Sequence, residues 1–207
     1  MLKLNRRAMI ALAAAATAAM TPALAEDVAA PAAALGDFSI GAADAKVKIV
    51  EYASYTCPHC AHFHETVFGE LKKNYIDTGK VHFTLREVYF DRYGLWAAMV
   101  ARCGGEMRYF GIHDMLFAKQ SEWIAGEDPA QVVASLKAIG LAAGVDQAAL
   151  DTCLDDQGQA EAMIAQFETN MAADDVKGTP TIIVNGTKYS NMTYEELAAI
   201  IDAELAK

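Results

Sequence analysis

The sequence is short of basic residues. Its 207 residues include 17 lysines and arginines against 27 aspartates and glutamates, a formal net charge of −10 at pH 7. A chain with this balance is a poor match for nucleic-acid phosphates or anionic lipid surfaces, because both attract clusters of positive charge. The composition therefore argues against a nucleic-acid-binding protein and predicts no nucleic-acid partner.

Long apolar stretches are also scarce, since the one present runs from Ala8 to Met20 near the N-terminus. It falls short of the roughly 20 residues that a membrane span needs. Basic residues precede it and Ala-Leu-Ala follows, so we expect residues 1–25 to be a signal peptide cleaved after Ala25, which predicts a periplasmic protein. The arginine pair at positions 6 and 7 leaves general and twin-arginine export open. Residues 26–36, rich in alanine, are interpreted as a flexible leader.

Cysteine is rare too: the chain has four, all after the predicted cleavage site, at positions 57, 60, 103 and 153. An exported protein meets an oxidising compartment, where cysteines commonly form disulfides. Four cysteines allow three pairings. The simplest joins the adjacent C-x-x-C couple and leaves the two distant cysteines to each other.

Hydrophobic alternation marks the first half of a fold. Residues 47–55 carry apolar side chains on both faces, which predicts a central strand. A four-residue apolar repeat then predicts a helix from Pro58 to about Ile76, and residues 81–86 alternate again as a second strand. Strand, helix and strand in this order form a βαβ unit, so the two strands should be parallel.

The middle of the chain, residues 91–173, contains no convincing strand pattern and is interpreted as a helical insertion. Strand character returns at residues 181–184, and Asn185-Gly186 predicts a β-hairpin turn. A capping box then starts a final helix. We therefore predict an α/β domain in two pieces, residues 37–90 and 174–207. The insertion should hold about four helices, at 93–103, 107–119, 129–139 and 158–173.

Cys57 stands where the first strand gives way to the helix. Unpaired N–H groups and the helix dipole stabilise a thiolate at such a position, which lowers its pKa. Cys60 lies one turn further on and should be the more buried of the two. The pattern predicts Cys57 as the nucleophile and Cys60 as the resolving thiol, with His59 donating a hydrogen bond or positive charge to the thiolate.

The motif Cys57-Pro58-His59-Cys60, the helical insertion and Gly178-Thr179-Pro180-Thr181 before the hairpin together resemble the DsbA-like thiol:disulfide oxidoreductases of the thioredoxin superfamily. The resemblance covers about residues 37–207 and implies a thioredoxin fold with an inserted all-helical domain.

Three further positions carry over from the resemblance. It implies that Pro180 is a cis-proline against the dithiol and that the Thr179 backbone pairs with an extended substrate peptide. It also implies that Glu51, six residues before Cys57, is a buried acid that passes protons during exchange. A solvated strand residue is the alternative for Glu51, and an ordinary trans-proline is the alternative for Pro180.

The second cysteine couple departs from the simplest members of the family. Some branches carry a second disulfide in the insertion, which implies a structural bridge between Cys103 and Cys153. Such a bridge closes about fifty residues and is worth roughly 4 kcal/mol in the chain-entropy model. A second redox centre and two free buried thiols are the alternatives.

The resemblance also implies partners. Reduced exported proteins would be the substrates, a DsbB-like membrane quinone reductase would reoxidise the dithiol, and no tightly bound cofactor is expected. Residues 26–36 are too few for the N-terminal dimerisation domain of the dimeric isomerases. We therefore expect a monomeric oxidase, with an isomerase or a reductase of the same fold as the alternative.

A zinc or copper site is the alternative of another class. Cys57, Cys60, His62 and His64 offer four ligands within eight residues. Two histidines two positions apart on a helix diverge by about 200 degrees and cannot both reach one ion together with the cysteines. We therefore predict no metal site, with His62 and His64 at the surface or partly packed and His113 structural.

Overall fold

The computed structural model describes residues 35–126 and 128–207. The predicted signal peptide and most of the predicted leader lie outside these residues. The strands described are β1 (Phe38–Ile40), β2 (Val47–Ala53), β3 (Val81–Glu87), β4 (Thr181–Val184) and β5 (Thr187–Tyr189). The α-helices described are α1 (Pro58–Phe63), α2 (Gly69–Leu71), α3 (Arg92–Cys103), α4 (Gly105–Ala118), α5 (Gln120–Trp123), α6 (Pro129–Ala142), α7 (Gln147–Leu154), α8 (Gln157–Ala173) and α9 (Tyr194–Leu205).

The strands form one mixed sheet in the order β1-β3-β2-β4-β5. Strands β2 and β3 are parallel, with Glu51 opposite Leu85, while β1, β4 and β5 each join their neighbours antiparallel. The predicted central strand and parallel βαβ unit are confirmed. Strand β2 ends at Ala53, two residues earlier than predicted, because the chain then turns and the Cys57 N–H bonds the Ser54 carbonyl at 3.1 Å.

The predicted helix over 58–76 is confirmed, and part of it is wound more widely than an α-helix. The chain forms one π-helical stretch between α1 and α2, His64–Phe68, and a second one after α2, Lys72–Ile76. A four-residue apolar repeat exceeds the 3.6 residues of an α-helical turn. The wider turns therefore suit the four repeat positions, which are all buried: Phe63, Val67, Leu71 and Tyr75.

Helices α3 to α8 lie between β3 and β4 in the sequence, and the four predicted helices are all present with small shifts of their ends. Helices α5 and α7 and strand β1 were not predicted. Helix α7 begins with an N-cap residue, since the Asp146 carboxylate accepts hydrogen bonds from the N–H groups of Ala148 and Ala149. Strand β1 is three residues long, too short to show an alternating pattern.

The C-terminal prediction is confirmed. Asn185 and Gly186 have φ values of 45° and 84°, the left-handed backbone that a two-residue hairpin between β4 and β5 requires. Thr193 and Glu196 form the reciprocal capping box at the start of α9. This helix buries Leu197 and Ile201 in the core.

One cluster of buried apolar side chains joins the sheet to the helical insertion. Ile49 and Phe83 of the sheet belong to the same cluster as Leu116 of α4 and Leu136 of α6. The predicted fold class, a thioredoxin fold with inserted helices, is confirmed. Among residues 35–126 and 128–207, no helix combines the length and the apolar character that a membrane crossing requires.

Candidate dithiol active site

The two active-site cysteines differ sharply in exposure. Cys57 has extended backbone and caps the N-terminus of α1, whose first residue is the exposed Pro58. Cys57 is partly exposed, whereas Cys60 is completely buried one turn later. Neither thiol is paired in the part of the chain that the structure describes. A thiol or disulfide of another molecule can therefore reach Cys57 but not Cys60.

The surroundings of Cys57 favour its thiolate. A hydrogen bond from the Cys60 thiol makes the largest contribution to lowering the Cys57 pKa, and burial opposes it. Further hydrogen bonds come from Thr179 and from the backbone N–H groups of Cys60 and His59. Together these groups bring the Cys57 pKa to about 5. The same bond to Cys57 raises the pKa of Cys60 far above its usual range, and burial and the nearby Glu51 raise it further. The arrangement separates the two thiols into an exposed thiolate and a buried, protonated partner.

His59 contributes in a different way from the one expected. Its side chain is exposed, and the hydrogen bond that stabilises the Cys57 thiolate comes from its backbone N–H. The imidazole makes no hydrogen bond to a described residue. Its predicted role as a donor to the thiolate stays a prediction.

The loop before β4 lies against the dithiol. The Thr179–Pro180 peptide bond is cis, Pro180 is buried, and the Cys57 thiol lies 3.6 Å from the carbonyl oxygen of Thr179. A cleft of about 730 Å³ runs beside this loop and past His59. An extended peptide in that cleft would lie alongside the Thr179 backbone.

Glu51 is completely buried near the dithiol, which excludes the alternative of a solvated strand residue. Burial, reinforced by the negative charge of Cys57, raises the Glu51 pKa well above its usual value. Its Oε2 lies 3.1 Å from Nε2 of His64, while its Oε1 has no partner among the described residues. The carboxyl group thus lies near Cys60 in surroundings that favour its neutral, protonated form, as a proton donor requires.

Of the two positions expected for His64, at the surface or partly packed, the structure shows the packed one. Its side chain is 4% exposed, packed between Glu51 and the stacked ring of Phe117. Burial lowers the His64 pKa to about 3. His64 begins a π-helical stretch, and its ring also packs against His113 of α4.

The other two histidines of interest behave as expected. The side chain of His62 is 67% exposed and points away, 3.8 Å from Glu65. His113 is completely buried, with Nδ1 3.1 Å from the hydroxyl of Tyr55. The alternative metal site of Cys57, Cys60, His62 and His64 is not assembled among the described residues.

Cys103 and Cys153 are joined by a disulfide with a Cα–Cα separation of 6.0 Å. The bridge ties the end of α3 to α7 within the helical insertion. This geometry supports a bracing role, and the predicted structural function of the bridge stays a prediction.

Two side chains that position the active-site loop were not predicted. The Gln120 amide donates to the carbonyl oxygens of Tyr55 and Cys57, at 2.8 and 3.0 Å. Asp91 accepts from the Thr56 hydroxyl at 2.7 Å and also caps α3. Asp91 had a signal, since aspartate is a favoured N-cap residue before a helix. Gln120 had none, because only the packing of the insertion brings it near the loop.

Comparison with known proteins agrees with this geometry. A family model described as thioredoxin matches residues 33–203. A Rickettsia bellii protein with the provisional name protein-disulfide oxidoreductase is 35% identical over 167 residues, 80% of this chain. The structure of Wolbachia pipientis alpha-DsbA1 superposes with a TM-score of 0.77 at 25% identity, covering 83% of this chain and 92% of the other.

A second solved structure bears a different name. A protein-disulfide isomerase from Novosphingobium aromaticivorans is 26% identical, with a TM-score of 0.72, and the match covers 84% of this chain and all of the other. The chain is shorter than its curated relatives: it spans 63% of the length of the Rickettsia bellii protein.

Proposed function

Because the chain belongs to the thioredoxin family, we propose that it is a protein thiol:disulfide oxidoreductase whose Cys57–Cys60 disulfide oxidises reduced exported proteins. One observation carries this proposal: the partly exposed Cys57 lies at a helix N-terminus beside the buried Cys60, whose thiol donates a hydrogen bond to it and lowers its pKa to about 5. The names of several similar proteins support it as well.

A low pKa of the exposed cysteine favours oxidation of substrates over their reduction. A stabilised thiolate stabilises the reduced protein, which makes the corresponding disulfide a stronger oxidant. The exposed cysteine has a pKa of about 3.5 in DsbA, a strong oxidant, and about 7 in thioredoxin, a reductant. The value of about 5 for Cys57 lies between them.

The exchange proceeds in two displacements. A substrate thiolate attacks the exposed Cys57 sulfur of the disulfide, forming a mixed disulfide while the electron pair of the broken bond passes to Cys60. A second substrate thiolate then attacks the substrate sulfur of the mixed disulfide and releases Cys57 as a thiolate. The substrate loses two electrons and gains a disulfide, and the protein holds those electrons as its reduced dithiol.

The two cysteines need different proton handling. Cys57 leaves as a stable thiolate and needs no proton at neutral pH. Cys60 is buried and its pKa is far above the usual range, so it must take up a proton as it leaves. Glu51 is the buried carboxyl group that supplies this proton.

The loop around Pro180 holds the substrate. The Thr179 backbone pairs with an extended peptide in the cleft beside it, which brings the peptide sulfur to Cys57. His59 lies in the same cleft and is placed to contact the incoming chain.

The setting follows from the sequence pattern and the resemblance. The protein is exported, cleaved after Ala25, and works in the periplasm as a monomer. A DsbB-like membrane quinone reductase takes the electrons from the reduced dithiol. No tightly bound cofactor takes part in the exchange.

A disulfide isomerase is the second candidate, favoured by the printed name of the Novosphingobium aromaticivorans structure. An isomerase uses the reduced dithiol to attack substrate disulfides. An exposed Cys57 thiolate is available for that attack as well, so activity must separate the two functions.

Two measurements test the proposal. Equilibration with glutathione buffers gives the reduction potential of the dithiol, which we expect nearer to about −120 mV, as in DsbA, than to about −270 mV, as in thioredoxin. The oxidised protein should also oxidise a reduced two-cysteine peptide in stoichiometric amounts, and Cys57→Ser should abolish this. A potential near the thioredoxin value, or efficient rearrangement of mispaired disulfides without net oxidation, would refute the oxidase proposal.

A further inference from the structure

Two buried histidines and an aspartate meet next to the dithiol site. One ligand atom each from His64, His113 and Asp114 lie within 4.8 Å of one another. The two imidazole centroids are 4.4 Å apart. His64 comes from the π-helical stretch after α1, and His113 and Asp114 come from α4, so the group bridges the thioredoxin part of the chain and the insertion.

Each histidine has one nitrogen engaged and one without a partner. Nε2 of His64 is held by Glu51 at 3.1 Å, and Nδ1 of His113 is held by the Tyr55 hydroxyl at 3.1 Å. The remaining nitrogens, Nδ1 of His64 and Nε2 of His113, are buried and make no hydrogen bond to any residue within 35–126 or 128–207. A buried polar atom without a partner costs free energy.

This pattern is characteristic of metal-binding histidines. A histidine that binds a metal through one nitrogen usually bonds a carboxylate, carbonyl or other acceptor through its second nitrogen, which fixes the tautomer and the ring orientation. Glu51 fills that position for His64. The Tyr55 hydroxyl does the same for His113, because a hydroxyl can accept a hydrogen bond.

A cleft open to solvent borders two of the three residues. A cleft of about 710 Å³ is lined by both His64 and the exposed Asp114. Glu65 and Lys72 line the same cleft, and Lys72 is engaged by Asp77 at 2.7 Å. The cleft thus exposes the Asp114 carboxylate to solvent, and the lysine that lines it is already paired with an aspartate.

We propose that His64, His113 and Asp114 form a binding site for a divalent transition-metal cation of the zinc class. Two imidazole nitrogens and one carboxylate oxygen are ligands that Zn²⁺ accepts, and water entering from the cleft would supply the fourth. The bound ion fixes the proton on Nε2 of His64, which then donates to Glu51. This site uses neither active-site cysteine and does not depend on the proposed oxidase function.

The test removes the cysteines that could bind metal themselves. In purified protein carrying Cys57→Ser and Cys60→Ser, stripped with a chelator, we titrate Zn²⁺ in competition with a chromophoric chelator. Co²⁺ serves as a spectroscopic probe, since nitrogen and oxygen ligands in tetrahedral geometry give visible ligand-field bands. We expect one tightly bound ion per chain.

Three variants in the same background test whether the ion binds at this cluster. Asp114→Asn removes a ligand at the surface and should weaken binding at least about ten-fold, while Tyr55→Phe removes only the hydroxyl behind His113 and should weaken it by about 10- to 100-fold. Glu65→Gln, a carboxylate of the same cleft outside the cluster, is the matched control and should bind Zn²⁺ as the parent does.

Two outcomes would contradict the proposed metal site. If the parent binds no Zn²⁺ or Co²⁺, or if Asp114→Asn binds as tightly as the parent, the site does not exist. Thermal unfolding without metal verifies that each variant is folded. Should Tyr55→Phe fail to fold, Asp114→Asn decides alone, because its side chain is exposed. Oxidase activity plays no part in this readout, so a failure here leaves the proposed function untouched.

Discussion

Replacing Cys60 by alanine should raise the pKa of Cys57, because the Cys60 thiol is the largest single source of thiolate stabilisation. A hydrogen bond to a charged group is worth about 1.5–3 kcal/mol. One pKa unit corresponds to about 1.36 kcal/mol. Since a thiol is a weak donor, the lower end applies, and we expect the Cys57 pKa to rise by about one unit.

The shift is easiest to see near pH 6. With a pKa of about 5, Cys57 is roughly 90% thiolate at pH 6, and a rise of one unit reduces this to roughly 50%. At pH 7 the same change moves the thiolate fraction only from about 99% to about 90%. The rate of alkylation by iodoacetamide, measured in the reduced protein from about pH 4 to about pH 9, reports the thiolate fraction directly.

Cys60→Ser is the matched control for this experiment. A serine hydroxyl keeps a donor in the same place, so its Cys57 pKa should stay close to the wild-type value. Mass spectrometry of the alkylated protein verifies that Cys57 is the residue that reacts. The reasoning is refuted if Cys60→Ala titrates with the wild-type midpoint, or if the wild-type thiol titrates near 9.0, the ordinary value.

Three further predictions concern stability. Folding lowers the Cys57 pKa from 9.0 to about 5, so the Cys57 thiolate stabilises the reduced protein fully above pH 9.0, and this stabilisation should be lost as the pH falls toward about 5. Thermal unfolding of the reduced protein across this pH range measures the effect, and Cys57→Ser should not show it. Replacing both Cys103 and Cys153 by serine should cost about 4 kcal/mol in denaturant unfolding, since the bridge spans 50 residues, and a loss below about 1 kcal/mol would contradict the bracing role. Arg102 of α3 pairs with the buried Glu87 of β3, which also accepts hydrogen bonds from the Tyr89 and Tyr109 hydroxyls. Arg102→Met should cost about 3–5 kcal/mol by leaving that carboxylate without a cation, and adding Glu87→Gln should restore part of the loss. A double variant no more stable than the single one would argue against the ion pair as the cause.

Much of the fold was predictable because its signals are local. Alternation identified β2 and β3, and Asn185-Gly186 identified the hairpin from two residues that tolerate positive φ. The start of a helix could be predicted where a capping residue marks it, as Thr193 does for α9. Helix α5 and strand β1 were missed because elements of three or four residues carry too few positions for a periodic pattern, and helix α7 was missed although Asp146 caps it.

The candidate site was predictable in part for the same reason. Cys57 and Cys60 sit in a short motif at a strand-to-helix boundary, where backbone geometry alone implies a stabilised thiolate and a more buried partner. The sequence left open whether His64 lies at the surface or is partly packed, because a π-helical stretch, which changes side-chain directions, leaves no local signal. The contribution of Gln120 has no local signal at all.

The sequence by itself determined the elements and the chemistry that each could carry: a C-P-H-C dithiol at a helix start, an acid on the strand before it, and a proline loop before the last hairpin. Only the tertiary structure decided which of these groups meet. Glu51 joins His64 across 13 positions, and His64 joins His113 across about fifty, because α4 of the helical insertion packs against the helical segment after Cys57. The side chains of Glu51 and His113 are completely buried there, and that of His64 is 4% exposed. Periodicity and capping act over a few residues, whereas contacts between distant segments depend on how whole elements pack, and burial then sets the protonation of the groups enclosed.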